Sequence, residues 1–143
     1  MPTVYIALGS NLGNRHKNIQ QAVLLLQNRG IQILKQSTLI ETNPVGGPPQ
    51  GKFLNAVIQV ATTLTPQILL NELQLIEQKL GRVKTGVNGP RPIDLDILLY
   101  DDLKMTTALL TIPHPRMWER SFVTLPLNEI APELVKEYQN EKR

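Results

Sequence analysis

Two aspartates one residue apart, Asp94 and Asp96, lie within Gly89-Pro90-Arg91-Pro92-Ile93-Asp94-Leu95-Asp96-Ile97-Leu98-Leu99. In a strand, residues i and i+2 leave the same face, roughly 6.6–7 Å apart along the chain. The two carboxylates therefore project together while Ile93, Leu95 and Ile97 turn toward apolar packing. Paired carboxylates on a rigid strand repel unless a cation sits between them. Oxygen-only ligands favour magnesium, which takes one or two carboxylates and completes its shell with water and substrate phosphates. A second ion ~3.5–4 Å away would make a two-metal clamp on a phosphoryl group. A solvated strand face carries the same D-x-D pattern. Arg91, with Arg82 and Lys84 in the same loop, shifts the balance toward polyphosphate, which needs compensating cations.

Other motifs compete for attention. Gly46 to Phe53 (GGPPQGKF) fits G-x-x-x-x-G-K, but Phe53 replaces the magnesium-binding hydroxyl of a P-loop. Pro48 and Pro49 have no N–H to give a phosphate, and a strand rather than a helix follows. The P-loop is excluded. Gly9-Ser10 with a downstream acidic pair suggests a nucleotidyltransferase, but the pair lies too far along the chain. His114 is fenced by Pro113 and Pro115, with Arg116 and Arg120 close behind. Alone it reads as a capping or surface histidine; beside a polyphosphate site these three become phosphate donors. Phe53 and Phe122 are the only phenylalanines. Each reads as packing or as one wall of a slot for a flat heterocycle, whereas Trp118 reads as packing.

Composition narrows the class. Hydrophobic residues make up 41% and charged residues 19% of 143 residues, with a mean hydropathy of −0.14. That is the balance of an ordinary folded domain. There is no cysteine, which removes disulfides, thiolate nucleophiles and cysteine-ligated metals. The net charge of +3 falls short of a duplex-binding stripe, and one Trp, three Tyr and two Phe are too few for base-stacking platforms. No apolar run reaches the ~18 residues of a membrane span, and MPTVYIALGS carries no basic segment ahead of an apolar one. The expectation is a single domain over 1–143, monomeric and cytoplasmic, meeting neither nucleic acid nor membrane.

Those residues need a scaffold. Thr3 to Gly9 reads as a buried strand. Ile19, Val23 and Leu26 mark a helix from Asn14 to Arg29 that Gly30 stops. Ile31 to Thr42 reads as a second strand, Asn43 to Lys52 as a Pro/Gly-rich loop, and Phe53 to Leu64 as a third strand. Thr65-Pro66 opens a second helix whose apolar face is Leu69, Leu73, Ile76 and Leu80. After the basic loop Arg82 to Pro92, Ile93 to Tyr100 is a fourth strand. Leu103 to Thr111 reads as its hairpin partner, turned at Asp101-Asp102. From Pro113 the chain reads as irregular with short helical pieces. The order is βαββαβ, an α+β, ferredoxin-like split βαβ antiparallel sheet with helices packed on it, followed by a C-terminal hairpin and a short helical extension.

Over nearly its whole length the chain resembles the 6-hydroxymethyl-7,8-dihydropterin pyrophosphokinases of folate biosynthesis. The match lies in YIALGSNLGN, ETNPVGGPPQGKFLNAV, LGRVKTGVNGPRPIDLDILLY and TIPHPRMWERSFVTLPLNEIAPEL. The resemblance implies transfer of the β,γ-pyrophosphoryl group of MgATP to the hydroxymethyl oxygen of the pterin, releasing AMP. It implies that Asp94 and Asp96 hold two magnesium ions with ATP, and that Arg82 and Arg91 are catalytic loop cations. Gln74, Glu77, Lys84, Arg91, Ile97, Thr111, His114 and Arg120 match positions around the nucleotide. Phe53 and Phe122 match the pair that sandwiches the pterin, with Thr42, Val45, Asn55 and Asp94 around it. No general base of strongly shifted pKa is expected, because phosphoryl transfer relies on positioning and electrostatics. Pro115, Leu109 and Asn88 depart from residues common in the family. Two other readings remain: a single-stranded RNA-binding module on the same kind of sheet, although FLNAVIQVA lacks an aromatic-rich pattern, and a magnesium-dependent phosphohydrolase using the same aspartates.

Overall fold

The computed structural model describes residues 1–82 and 89–141. Lys84 and Asn88 lie outside them. The sheet runs β1 (Thr3–Ser10), β2 (Gln32–Gln36), β3 (Ile40–Thr42), β4 (Phe53–Ala61) and β5 (Asp94–Tyr100). Its order is β2-β4-β1-β5, with β3 also paired to β4 and all neighbours antiparallel. With β2 and β3 counted as one broken strand, this is the split βαβ topology that the sequence predicts.

Helices α1 (Arg15–Asn28) and α2 (Pro66–Lys79) cover one face. Each is capped as its sequence requires: Asn14 accepts from the N–H of Lys17, and Thr65 from that of Ile68 ahead of Pro66. Their apolar stripes, Ile19, Ala22 and Leu26 with Leu69, Leu73 and Ile76, meet Val4, Ile6 and Leu8 of β1 and Ile58 and Val60 of β4. Truncating Ile6 or Leu73 to alanine would cost about 2–5 kcal/mol, the range for a fully buried aliphatic chain.

Alternate residues of the strands turn to the other face, where Val57 and Leu98 join Met117, Val123, Leu127 and Ile130 in a second core. Here the expected helical extension is more regular than the irregular chain with short helical pieces that the sequence predicts. It forms two ten-residue helices, α3 (Ser121–Ile130) and α4 (Pro132–Glu141). Pro126 inside α3 removes a hydrogen bond. The helix persists because Val123, Pro126, Leu127 and Ile130 bury a common stripe on the sheet. Trp118 packs as expected, stacked on Tyr138 of α4 with centroids 4.2 Å apart.

Two further expectations are corrected. The strand predicted over 31–42 is broken between β2 and β3. Ser37 exchanges backbone and side-chain bonds with Val57, while Glu129 of α3 accepts from the N–H and hydroxyl of Thr38. The predicted hairpin between β5 and Leu103–Thr111 does not form. Instead β6 (Met105–Thr106) pairs with β7 (Thr111–Ile112) as a separate ribbon. The hydroxyl of Thr107 accepts from the N–H groups of Leu109 and Leu110 and nucleates that turn. Asp101 bonds back to Thr3 of β1 through its N–H and its carboxylate. Among the described residues no helix is long and apolar enough to cross a membrane.

Candidate active site

The sheet face opposite α1 and α2 is only half covered by α3. Where it is open, a cleft of about 710 Å³ lies between the loop after β3, the end of α2, the chain after β7 and the start of α3. Its floor is the middle strand. Gly9 stands opposite Asn55 of β4 on one side and Asp94 of β5 on the other; Ala7 stands opposite Val57 and Asp96. Small residues in β1 leave the floor low between an amide and two carboxylates. A Cβ on Gly9 would meet the Asn55 side-chain oxygen at 3.1 Å and the Phe53 ring at 3.4 Å.

The β4 side is aromatic and amidic. Phe53 and Asn55 leave β4 on the same face, and Phe122 from the first turn of α3 lines the cleft with them. Asn55 is only 6% exposed and donates to the Thr42 hydroxyl at 2.6 Å, which fixes its orientation. Val45 completes this side from the loop.

The β5 side is charged. Asp94 and Asp96 point into the cleft as the two-residue period requires. Glu77, near the end of α2, accepts from the N–H of Leu95 at 2.9 Å and from Arg82 at 2.6 Å. Arg82 also reaches Asp94 at 2.9 Å, and the Nε of Arg91 lies 3.4 Å from the other oxygen of Asp94. Asp94 is thus compensated by two guanidiniums. Asp96 is not: burial, then the charges of Asp94 and Glu77, push its carboxyl from 3.8 up to about 7, against a weaker pull from Arg120 and Arg82. This shift comes from lost hydration and crowded like charge. Burial likewise raises Glu77, although its bonds to Leu95 and Arg82 oppose the change. Two carboxylates converging in a cleft with negative charge in excess at Asp96 form an oxygen-only donor set that fits magnesium. Among the described residues no group of three or more His, Cys, Asp or Glu could hold a metal ion.

His114 enters from the chain after β7, its N–H bonded to Leu98 of β5 at 2.9 Å. Its Nδ1 accepts from the N–H of Arg116 at 3.2 Å, which leaves Nε2 as the donor of the neutral ring. Burial and the nearby Arg120 lower its pKa below 6.5, so it is a neutral hydrogen-bond donor at neutral pH.

Thr42, Val45, Phe53, Asn55, Gln74, Glu77, Arg82, Arg91, Asp94, Asp96, His114, Arg120 and Phe122 all line this one cleft. Ile97 does not, because its side chain is buried in the core beneath α1 and α2. Thr111 lies in β7 opposite Thr106, away from the cleft lining. Lys84 falls outside the described residues. Sequence reasoning passed over Gly9, Gln50 and Gln78, which also line the cleft; of these only Gly9, a glycine in a strand, carried a signal. It also passed over Asn11. This side chain donates to Gln50 at 2.7 Å and to the Gly51 carbonyl at 3.1 Å, and accepts from the N–H of Arg91 at 2.9 Å. Asn11 thereby ties the two cleft loops together.

Fold and cleft together define a class: a ferredoxin-like α+β domain with paired carboxylates, arginines and an aromatic–amide pocket on the open face of its sheet. The model of the 7,8-dihydro-6-hydroxymethylpterin-pyrophosphokinase (HPPK) family matches residues 5–132, and the chain belongs to that family. It is 52% identical over 132 residues to the folic acid synthesis protein fol1 of Pneumocystis carinii, covering 92% of this chain and 18% of that protein. It is 47% identical over 134 residues to the 2-amino-4-hydroxy-6-hydroxymethyldihydropteridine pyrophosphokinase of Bacillus subtilis, covering 93% of this chain and 80% of that protein. A crystal structure of Plasmodium falciparum HPPK-DHPS with SDX-DHP shares the fold with a TM-score of 0.68 at 18% identity, over 93% of this chain and 40% of that one. The chain thus spans about a fifth of the Pneumocystis relative and most of the Bacillus one.

Proposed function

We propose that this chain transfers the β,γ-pyrophosphoryl group of MgATP to the hydroxymethyl oxygen of 6-hydroxymethyl-7,8-dihydropterin. The products are the pterin diphosphate and AMP. One observation carries the reading: an aromatic–amide pocket and an acid–arginine pocket share a cleft and meet across the bare backbone of Gly9. The first suits a flat heterocycle with alternating donors and acceptors, which an amide such as Asn55 reads from both its atoms. The second suits a polyphosphate.

The acceptor hydroxyl attacks the β-phosphorus and releases its proton to solvent, the bond from that phosphorus to the α,β-bridging oxygen breaks, and AMP leaves with that oxygen. Asp94 and Asp96 would hold magnesium, in our reading two ions with ATP, which would supply charge neutralisation along the phosphates. The chain's own residues position and compensate. Arg82, Arg91 and Arg120 offer guanidiniums to phosphate oxygens, and the neutral ring of His114 donates from Nε2. Gln74 and Glu77 border the nucleotide side. Phe53 and Phe122 flank the heterocycle, which Asn55 and Thr42 read. The two loops joined by Asn11 exclude water during transfer.

The test incubates the purified chain with ATP, magnesium and the pterin, and separates AMP from ADP. Pterin-dependent AMP with a pterin diphosphate is the expected result, lost in Asp94→Ala and Asp96→Ala. ADP or phosphate without a pterin requirement would point to a hydrolase and overturn the reading.

A further inference from the structure

Each of the two aromatic rings lining the cleft carries a guanidinium on its face. Cζ of Arg91 lies 4.9 Å from the centroid of the Phe53 ring, and Cζ of Arg120 lies 5.4 Å from that of Phe122. Both separations fall within the ~6 Å at which a cation is attracted to a ring quadrupole. The pairing adds a flat surface to whatever else orients these groups. Arg120 makes no ion pair or side-chain hydrogen bond that holds it among the described residues, so the ring two positions along the chain is its resting surface. Arg91 donates from one terminal nitrogen to the Gly89 carbonyl at 2.7 Å. Its Nε is buried without a hydrogen bond, 3.4 Å from Asp94. The Phe53 ring supports this guanidinium on its face, alongside the Gly89 and Asp94 contacts.

We infer that Phe53 and Phe122 are positioning residues for Arg91 and Arg120, beyond walling the heterocycle pocket, and that they raise the affinity for the nucleotide before any acceptor is bound. This rests on the proposed reading of the cleft. An arginine side chain has many rotamers to lose on binding phosphate, and a ring that holds it near its bound position removes part of that cost in advance. If the rings served the acceptor alone, their replacement would leave nucleotide binding untouched while no acceptor is present.

The experiment measures binding of a non-hydrolysable ATP analogue with magnesium by calorimetry, in the absence of pterin, for the wild type, Phe122→Leu, Phe53→Leu and Phe122→Tyr. Leucine keeps apolar bulk and removes the ring; tyrosine keeps the ring. The half-buried Phe122 is the variant least exposed to folding failure, and a thermal melt of the ligand-free protein accompanies each. The expected result is a roughly threefold to thirtyfold loss of nucleotide affinity in either leucine variant, from the size of a cation–π pair, with Phe122→Tyr close to wild type. Leucine variants that bind the analogue as tightly as wild type, while losing the pterin, would overturn the inference. A wild-type chain that does not bind the analogue at all would overturn the underlying reading of the cleft instead.

Discussion

The Asn55 side-chain oxygen lies 3.1 Å from where a Cβ on Gly9 would stand, so the middle strand has a glycine where any side chain would displace the amide that faces it. The neighbouring contact, 3.4 Å to the Phe53 ring, makes the fit tighter. Gly9→Ala should therefore push Asn55 and Phe53 off their positions at an overpacking cost of about 1–3 kcal/mol. Steady-state kinetics should show KM for the pterin rising roughly tenfold or more, since about 1.4 kcal/mol is one decade, with KM for ATP much less affected. Equal losses for both substrates would refute a floor that serves the acceptor.

Asp96 gives stability a pH dependence opposite to that of most acids. Its carboxyl titrates near 7 when folded, because of burial and then the charges of Asp94 and Glu77, and near 3.8 in the unfolded chain. Between those values the folded chain binds a proton that the unfolded chain has released. The contribution is complete below about 3.8 and is lost as pH rises through 7. Asp96→Asn removes the charge, so in magnesium-free buffer its melting temperature should exceed that of wild type at pH 8. The gap should narrow as pH falls toward 5. A gap that does not change with pH would contradict the assignment.

His114 acts in the other direction. Burial and Arg120 hold its pKa below 6.5, so the unfolded chain takes up a proton first as pH falls. Its contribution is present above 6.5 and is lost as pH drops through the lower folded value. Thermal melts of His114→Gln should lack this part of the acid destabilisation, and wild type should fall more steeply below pH 6.5. Parallel pH curves for the two proteins would argue against a neutral, buried ring.

Tyr138 tests the second core apart from the cleft. Its ring lies 4.2 Å from that of Trp118 at an interplanar angle of 9°, and it lies on α4, which contributes nothing to the cleft lining. Tyr138→Ala should lower stability in chemical denaturation by about 0.5–1.5 kcal/mol beyond the lost area. Its kcat and KM should match wild type. A drop in kcat would mean that α4 supports Arg120 and Phe122 through α3.

What could be read from the chain followed from period and composition. Asp94 with Asp96, and Phe53 with Asn55, could be placed on common faces because strand side chains alternate. Both helices could be found because caps and apolar spacing agree over fourteen residues. What could not be read depended on long-range partners. Pro126 argues locally against α3, and only the sheet beneath it outweighs that. The break after Gln36 depends on Val57 and Glu129, distant in sequence. The chain does turn at Asp101-Asp102, but Met105 and Thr106 pair with β7 rather than with β5. Ile97, one residue from Asp96, has the parity of the buried face, and its side chain lies in the core. Asn11 carried no local signal for joining two loops because its partners are forty and eighty positions away.

β1 and β5 shift register between Tyr5 and Ile6, so Ile6 pairs with Ile97, Tyr5 pairs with Leu99, and Leu98 is the unmatched residue. β5 is thus two short rulers laid end to end. The first is read from Gly9 and sets the aspartates; the second is read from Tyr5 and Val4 and sets Tyr100, whose hydroxyl bonds the Leu64 carbonyl. The half of the strand that carries the acids and the half that carries Tyr100 thus keep separate registers on β1.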